Sequence, residues 1–345
     1  MTVFDEIAPL LSDFLTDEPM KNHTSFRIGG AADILAMPKT SDELIKIFKF
    51  CEEKNFPLTI LGDGANVLVS DEGIRGVVVF TNKMKEISVR ENKIFASAGA
   101  RLSALAEAAC VAGLAGLEFA SGIPGTVGGA IFMNAGAFGF DISNFCEHVT
   151  LFYENKIVKK SNAEMEFAYR KSFVQRIAHE KIACAKKNSC EEKKLCEENS
   201  REENSCEEKK FREENSCVQK NSSSLCEILI LDATFSLLRG EPELIREKMR
   251  ELNGKRKNSQ PLEFHSAGSF FKRPEGHYAG KLIEVCGLKG FSVGDAQVSE
   301  KHAGFVINRG NATAKNILEL MHHVQKTVYE KFGVHLEPEV QMLGF

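Results

Sequence analysis

The sequence has little excess charge of either sign. Its 44 lysines and arginines nearly balance 48 aspartates and glutamates, which leaves a formal net charge of -4 over 345 residues. Such a balance creates no broad field that would hold a nucleic-acid backbone or an acidic membrane surface. We therefore expect no nucleic-acid or membrane partner, and any anionic ligand has to be met by local groups.

The sequence also lacks the apolar segments that export a chain or anchor it in a bilayer. Its first residues, MTVFDEIAPLL, have no basic start, and the small-residue stretch at 102–139 is interrupted by Glu107, Glu118 and Pro124. A signal peptide or a membrane-spanning helix needs an uninterrupted apolar run. We expect a cytoplasmic protein whose ten cysteines stay reduced.

Residues 177–226 lack the apolar content of a packed segment. NSCEEKK occurs at 188–194 and 204–210, and REENSC occurs at 201–206 and 212–217. Six of the ten cysteines lie here, but they form no CxxC pair and their spacing varies. A solvated low-complexity insertion is therefore favoured over a metal site, which stays as the alternative, and no metal is predicted.

Helical and extended patterns alternate outside the insertion. Thr40 and Glu43 form a capping-box pattern before an amphipathic helix at 41–54, which lies between apolar runs at 33–37 and 58–61. A strand, a crossover helix and a second strand predict a parallel pair, with a ligand-binding loop at its carboxyl edge. Further strands are predicted at 76–80 and 228–237, and further helices at 101–113, 241–254 and 314–332.

The C-terminal segment combines a capped helix with an alternating pattern. The helix at 314–332 is expected to end at Gly333, which suits a C-terminal cap. Apolar and polar residues then alternate from 334 to 342. This pattern predicts a strand with one polar face, including Glu337 and Glu339, that meets water or a ligand.

Two glycine-rich loops, 62–66 and 122–130, form the first candidate site. Successive backbone N–H groups in such loops can converge on a pyrophosphate, because glycine lets the backbone approach closely. Neither loop fits the GxGxxG fingerprint or the P-loop, and two tight turns explain them equally well. The predicted cofactor-binding residues are Gly62, Asp63, Gly64, Ala65, Asn66, Gly122, Pro124, Gly125, Thr126, Gly128 and Gly129.

Seven segments carry a resemblance to a known family through their order and spacing. They are 22–30, 62–66, 122–130, 133–137, 169–172, 268–274 and 336–340. Together they resemble UDP-N-acetylenolpyruvoylglucosamine reductase over nearly the whole chain outside the insertion. Segments 271–274 and 298–303 look like the family's second type, which lacks an extra substrate-covering loop.

The resemblance implies an α+β fold with a two-lobed FAD-binding domain of the vanillyl-alcohol oxidase kind and a C-terminal α+β substrate-binding domain. We place an N-terminal helical segment at 1–22, the FAD-binding domain at 23–237, interrupted by the insertion, and the substrate-binding domain at 238–345. The resemblance further implies non-covalent FAD that NADPH reduces. The reaction would convert UDP-N-acetylglucosamine enolpyruvate to UDP-N-acetylmuramate in peptidoglycan precursor synthesis.

The resemblance also implies roles for individual residues. Hydride addition pushes charge into the substrate carboxylate, so a cation should stabilise the enediolate and an acid must deliver a proton. Arg170 is then the cation, Ser269 the proton donor and Glu339 a second polarising or proton-handling group. Contacts with the substrate, among them its diphosphate or uridine, are expected from Tyr169, Lys257, Gln260, Lys272 and Arg273.

Two departures from the family pattern leave alternatives open. Ala65 stands where the family usually has serine, which removes one hydroxyl contact worth about 0.5–1.5 kcal/mol. The insertion puts the local geometry near Arg170 in doubt. One alternative is another flavin oxidoreductase, such as a sugar or alcohol oxidase, which would lack the pair Ser269 and Glu339. Another is a binding or scaffold protein built on the insertion.

Removal of residues 187–222 tests whether the insertion shapes the site. Flavin binding should be unchanged and turnover should stay within about tenfold of the full chain, because a polar repetitive segment adds little to a core. Turnover and melting temperature are compared with and without the segment. A larger loss of turnover would show that the insertion determines the geometry near Arg170.

Overall fold

The computed structural model describes residues 6–178, 180 and 228–345 of the chain. Nearly all of the insertion at 177–226 lies outside these residues, and so do both interpretations of it, as a solvated segment or as a metal site. Among the described residues, none of the helices has the length and apolar character needed to cross a membrane.

Strands and helices follow one another in three groups along the chain. The first group contains β1 (Phe14–Pro19), β2 (Ala31–Ala36), α1 (Ser41–Glu53), β3 (Leu58–Leu61), β4 (Val67–Val69) and β5 (Ile74–Phe80). The second contains β6 (Ile87–Arg90), β7 (Lys93–Ser97), α2 (Leu102–Val111), β8 (Leu114–Ala115), α3 (Val127–Met133), β9 (Gly136–Ala137), β10 (Phe140–Asp141), β11 (Cys146–Tyr153), β12 (Lys156–Ser161), β13 (Ile228–Ser236), β14 (Leu238–Arg239) and α4 (Pro242–Ser259). The third contains β15 (His265–Ser269), α5 (Ala279–Val285), β16 (Ser292–Val293), β17 (Ala296–Val298), β18 (Phe305–Asn308), α6 (Ala314–Phe332) and β19 (Gln341–Leu343).

The first sheet has the strand order β1-β2-β5-β3. The predicted helix α1 begins where expected, because the Thr40 side chain accepts a hydrogen bond from the backbone N–H of Glu43 at 3.2 Å. β2 and β3 run parallel to each other as predicted, but they are not neighbours. Each pairs with β5, which lies between them.

The N-terminal segment 1–22, expected to be helical, contains a six-residue strand in its described part. β1 pairs antiparallel with β2 in the register Phe14 to Ala36 through Pro19 to Ala31, and Ala8–Leu10 and Met20–Asn22 form short 3₁₀ turns before and after it. The edge of β2 offers backbone hydrogen bonds along residues 14–19. Pro19 would also disrupt a helix interior. The prediction of a helical segment is therefore wrong for residues 14–19, whereas residues 6–10 and 20–22 form short helical turns.

The second sheet is antiparallel, in the order β12-β11-β13-β7-β6. β13, predicted as a buried closing strand, lies at its centre between β11 and β7. α4 packs Ile245, Met249 and Leu252 into the same apolar core as α2 and α3. The domain boundaries after residues 22 and 237 stay a prediction. α4 follows the second of these boundaries in the chain but packs into the core of the second group.

The third sheet, β15-β18-β17-β16, packs against α6. α6 spans the predicted residues, and Gly333 ends it with a φ of 65°, the left-handed conformation that favours glycine. The core beneath α6 also takes in Phe26, Ile28 and Leu68 from the first group. The mixture of helices and sheets confirms the predicted α+β fold.

The predicted strand at 334–342 is wrong in its extent. Only Gln341–Leu343 forms a strand, β19, and it pairs in parallel with β4 of the first group. Upstream of it, a single bridge joins Pro338 to Phe271. Glu337 is exposed whereas Glu339 is 8% exposed, so the two carboxylates do not share a solvated face. The alternation of apolar and polar residues from 334 to 342 therefore does not mark one continuous strand, because neighbouring residues contact different parts of the protein.

Asp71 joins the first group to the N-terminus of α6. Its carboxylate oxygens accept the backbone N–H groups of Ala314 at 2.8 Å and Lys315 at 3.0 Å. The first N–H groups of a helix lack intrahelical acceptors, and a negative charge there is favourable. The contact therefore stabilises both the helix and its attachment to β4.

Asp71→Ala should lower the free energy of unfolding by about 1 kcal/mol, because two backbone donors lose a charged acceptor. Urea or thermal unfolding of the purified protein measures the change. Glu72→Ala is the matched control, since it removes the adjacent exposed carboxylate without touching α6. An equal loss of unfolding free energy in the two variants would show that the effect comes from the change in net charge and not from the contact with α6.

Candidate active site

A cavity of about 590 Å³ lies where the second and third groups meet. Arg170, Ser269 and Glu339 all line it, although the first and the last are 169 positions apart in the chain. The rest of its wall comes from the β9–β10 hairpin, from the start of α5 and from the loop before β18. The additional lining residues with polar or aromatic side chains are Asn134, Phe138, Phe140, Asp141, Tyr169, Phe271, Arg273, Tyr278, Lys281, Glu284, Lys289, Lys301 and His302.

Arg170 and Glu339 form an ion pair on the cavity wall. Arg170 Nε lies 2.7 Å from Glu339 Oε1, and both side chains are largely buried. The Nε–H group of Arg170 is not aligned with the carboxylate as a hydrogen bond would require, so the two side chains attract each other as opposite charges. Arg170 Nη2 also donates to the Gly136 carbonyl at 3.5 Å. The remaining guanidinium donors are free to meet an anion in the cavity.

A tight turn aims Arg170 at this position. Ala168 and Lys171 exchange backbone hydrogen bonds of 3.0 and 3.1 Å, and Arg170 between them has a φ of 53°. A non-glycine residue in the left-handed region is strained, and such strain concentrates at functional sites. The adjacent ring of Tyr169 lies 5.5 Å from the Arg170 guanidinium carbon, which further fixes that side chain.

Burial raises the pKa of Glu339 above its ordinary value of 4.5, and the nearby charges of Arg170 and Lys272 only partly oppose this. The carboxyl group therefore holds its proton to higher pH than an exposed glutamate does. A raised pKa in a cavity that also contains a cation is typical of a proton-handling group.

Ser269 is exposed to the cavity at the end of β15. The pairing of β15 with β18 shifts register between Ser266 and Ser269, and Gly268 within the shift has a φ of 80°. An irregularity of this kind redirects the side chain that follows it. The hydroxyl of Ser269 thus faces the same space as Arg170 and Glu339.

The two glycine-rich loops lie against each other. A Cβ atom at Gly62 would stand 2.2 Å from Thr126 Oγ1, and one at Gly125 would stand 3.7 Å from Ala65 Cβ. The contact at Gly62 therefore excludes any side chain there. Thr126 also accepts the N–H of Gly129 at 3.4 Å to begin α3. The loops form one backbone surface, which suits a pyrophosphate-bearing cofactor.

Of the five predicted substrate contacts, two line the main cavity, one lines a second cavity, and two lie outside the main cavity. Tyr169 and Arg273 line the main cavity, and the Tyr169 hydroxyl accepts the Arg273 N–H at 3.3 Å. Lys257 lines a second cavity of about 760 Å³, which shares Lys301 with the first. Lys272 pairs with Glu337. Gln260 accepts from Arg256 Nη1 at 3.2 Å, and neither Lys272 nor Gln260 lines the main cavity.

Sequence reasoning missed three lysines on the cavity wall: Lys281, Lys289 and Lys301. Lys281 and Lys289 lie 3.3 and 2.7 Å from the Glu284 carboxylate, and hydrogen bonds from these lysines lower the pKa of Glu284. These residues come from α5 and from loops that no single periodic pattern joins. Only their spatial proximity reveals the cluster.

Two other polar residues of the third group differ in their surroundings. Asn308 is buried and satisfied: it donates to the Phe26 carbonyl at 3.0 Å and accepts two backbone N–H groups. These bonds give Asn308 a structural role in joining the first and third groups.

His302 lines the cavity, and its Nδ1 accepts the Gly304 N–H at 3.1 Å. Burial lowers the pKa of His302, which favours the neutral ring.

Comparisons with known proteins agree with this geometry. A family profile described as UDP-N-acetylenolpyruvoylglucosamine reductase, C-terminal domain, matches residues 260–343, and one described as FAD binding domain matches residues 32–155. The UDP-N-acetylenolpyruvoylglucosamine reductase of Caldanaerobacter subterraneus subsp. tengcongensis is 47% identical over 329 residues, which cover 95% of this chain and 93% of the relative. The chain belongs to the UDP-N-acetylenolpyruvoylglucosamine reductase family.

Further members of the family match at similar coverage. The reductase of Clostridium novyi is 44% identical, over 94% of this chain and 90% of the relative. A crystal structure of the reductase from Thermus caldophilus superposes with a TM-score of 0.68 at 29% identity, covering 96% of this chain and 98% of that one. The expected family is confirmed, and the alternative of a sugar or alcohol oxidase gains no support from these relatives.

Membership in the family makes this chain an FAD-dependent oxidoreductase with NADPH as its reductant. The alternative of a binding or scaffold protein is therefore set aside. The close packing of the loops 62–66 and 122–130 fits FAD, because bare backbone is what a pyrophosphate can approach. The roles of the individual loop residues stay a prediction.

Glu339→Gln should change how stability depends on pH. A carboxyl group with a raised pKa binds more protons in the folded than in the unfolded chain, so its favourable contribution is lost as pH rises from about 4.5 through the folded pKa. The melting temperature of Glu339→Gln minus that of the wild type should therefore increase as pH rises across that window. Melting curves from pH 4 to 8 measure the difference, with Glu337→Gln as the exposed control. A constant or falling difference would contradict the raised pKa.

Proposed function

We propose that this protein reduces the enolpyruvyl group of UDP-N-acetylglucosamine enolpyruvate to give UDP-N-acetylmuramate, a peptidoglycan precursor. The observation that carries the proposal is the convergence of Arg170, Ser269 and Glu339 on one cavity. A sugar or alcohol oxidase has no need of a proton donor opposite a cation, whereas reduction of an enolpyruvyl carbon–carbon double bond requires both.

The residues divide the chemistry between them. FAD, when bound, supplies the hydride that it has received from NADPH. Arg170 holds the substrate carboxylate and stabilises the negative charge that develops there as the enediolate forms. The Ser269 hydroxyl donates a proton to the carbon next to that carboxylate. Glu339 keeps Arg170 oriented at 2.7 Å and serves as a second proton-handling group.

The lysine cluster suits the diphosphate of the nucleotide. Arg273, Lys281, Lys289 and Lys301 line the same cavity, and Glu284 offsets only part of their positive charge. Cationic side chains form strong charge-assisted hydrogen bonds with phosphate oxygens. Lys257 extends this basic surface through the second cavity, which Lys301 connects to the first. The predicted contacts from Lys272 and Gln260 receive no such support.

The finer assignments follow from the same resemblance. The chain is a second-type member that carries an unusual repeat insertion at 177–226, and it acts in the cytoplasm without a nucleic-acid or membrane partner. The near-zero net charge supports the last point, because it provides no extended field for a polyanion. Ala65 in the loop 62–66 leaves the backbone donors as the pyrophosphate contacts.

FAD should be bound without a covalent link. Precipitation of the purified protein in acid should release all of the flavin into the supernatant, where its absorbance measures it. Flavin colour that stays with the precipitate would contradict this expectation.

Ser269→Ala should separate the two half-reactions. Reduction of FAD by NADPH needs no proton at a substrate carbon and should proceed at nearly the wild-type rate. Reoxidation by the enolpyruvyl substrate should slow by roughly 10²–10⁴-fold, as for a lost general acid. Stopped-flow flavin absorbance measures each half separately.

Ser266→Ala, three residues earlier on β15, is the matched control because Ser266 does not line the cavity. It should leave both half-reactions unchanged. Equal slowing of both halves in Ser269→Ala would make Ser269 structural only. No slowing in either half would assign the proton to another donor, with Glu339 or an ordered water as the first candidates.

A further inference from the structure

The backbone of Glu339 is held by three hydrogen bonds from three parts of the chain. Its N–H donates to the Phe270 carbonyl at 2.9 Å. Its carbonyl oxygen accepts the side-chain amides of Asn66 and Gln341, both at 3.2 Å. Both lone pairs of that carbonyl are therefore used, and the peptide groups on either side of Glu339 cannot rotate freely.

Asn66 makes a second contact with the same segment. Its own backbone carbonyl accepts the N–H of Gln341 at 3.0 Å, at the first residue of β19, where the pairing with β4 begins. One residue thus donates through its side chain to position 339 and accepts through its main chain from position 341. An asparagine side chain carries a donor at the required length, whereas Ala65 and Gly64 beside it carry none.

We propose that Asn66 is a positioning residue that sets the place of the Glu339 carboxylate against Arg170 and links the loop 62–66 to the C-terminal strand. This inference rests on the proposed function, in which Glu339 acts on the substrate and the loop holds FAD. A buried ion pair depends strongly on geometry, because a displaced partner leaves an uncompensated charge. A shift of about 1 Å in the Glu339 backbone is enough to disturb a catalytic arrangement.

The link has a thermodynamic consequence for the cofactor. The loop 62–66 packs on the loop 122–130 through Gly62 and Thr126 on one side and on Glu339 through Asn66 on the other. A ligand that orders the loop must also order residues 339–343, and by reciprocity the ordered segment strengthens the binding of that ligand. FAD occupancy therefore prepares the position of Glu339 before the substrate enters.

Hydrogen exchange tests the link without any turnover. In the wild type, adding FAD to the FAD-free protein should slow amide exchange in residues 339–343. Asn66→Ala should lose most of this FAD-dependent protection. Gln325→Ala is the matched control, because Gln325 Nε2 anchors the same segment by donating to the Leu336 carbonyl at 2.9 Å but lies on α6. It should keep the FAD-dependent protection.

The kinetic test uses the two half-reactions at saturating FAD. In Asn66→Ala, reoxidation by the enolpyruvyl substrate should slow about tenfold more than flavin reduction by NADPH does, because a lost FAD contact affects both halves whereas a displaced Glu339 affects only reoxidation. In a Glu339→Gln background the same substitution should cost less than about twofold, since residues that act through one another are not additive. Asn66→Asp keeps the size of the side chain but replaces its donor with an acceptor, and it should slow reoxidation at least as much as Asn66→Ala.

Two results would overturn the proposal. One is an FAD-dependent protection of 339–343 that is the same in the wild type and in both Asn66 variants. The other is an equal effect of Asn66→Ala with and without the Glu339 carboxylate. If the wild-type protein failed to reduce the enolpyruvyl substrate at all, the proposed function would fall, while the exchange experiment would still decide the positioning role.

Discussion

The parallel pairing of β19 with β4 is the constraint on which the site depends. Three contacts within residues 66–71 fix the last thirty residues of the chain: Asn66 binds the peptide of Glu339, β4 pairs with β19, and Asp71 accepts from the first turn of α6. These contacts join positions more than 240 residues apart. Without them Glu339 would keep its contacts within the third group, such as the hydrogen bond to the Phe270 carbonyl, but none of these would tie it to the first group.

The ion pair between Arg170 and Glu339 on the cavity wall is better explained by function than by stability. Taking Glu339 and Arg170 out of water costs free energy that their attraction offsets only in part, and the raised pKa of Glu339 reflects this imbalance. A solvated pair at the same distance would hold both charges more easily. Burial favours the protonated carboxyl more than water would, which suits a proton-handling group.

The sequence could predict the elements whose pattern is local. α1 follows from Thr40 and its capping partner, and α6 follows from its apolar periodicity and from Gly333. It could not predict that the segment 14–19 becomes a strand, because the edge of β2 that pairs with it is a tertiary feature. The lysines of the cavity were missed for the same reason, since Lys281, Lys289 and Lys301 share no element and meet only in three dimensions.

The three proposed catalytic residues all stand where regular structure is interrupted. Arg170 has a φ of 53° in a tight turn, Ser269 follows a register shift at Gly268, and Glu339 lies between an isolated bridge and the start of β19. Regular elements direct side chains along a face, whereas a site must direct side chains from distant segments to one point. Periodicity therefore cannot locate such residues. The resemblance of the surrounding motifs is what proposes them, and the interruptions are what allow all three to line one cavity.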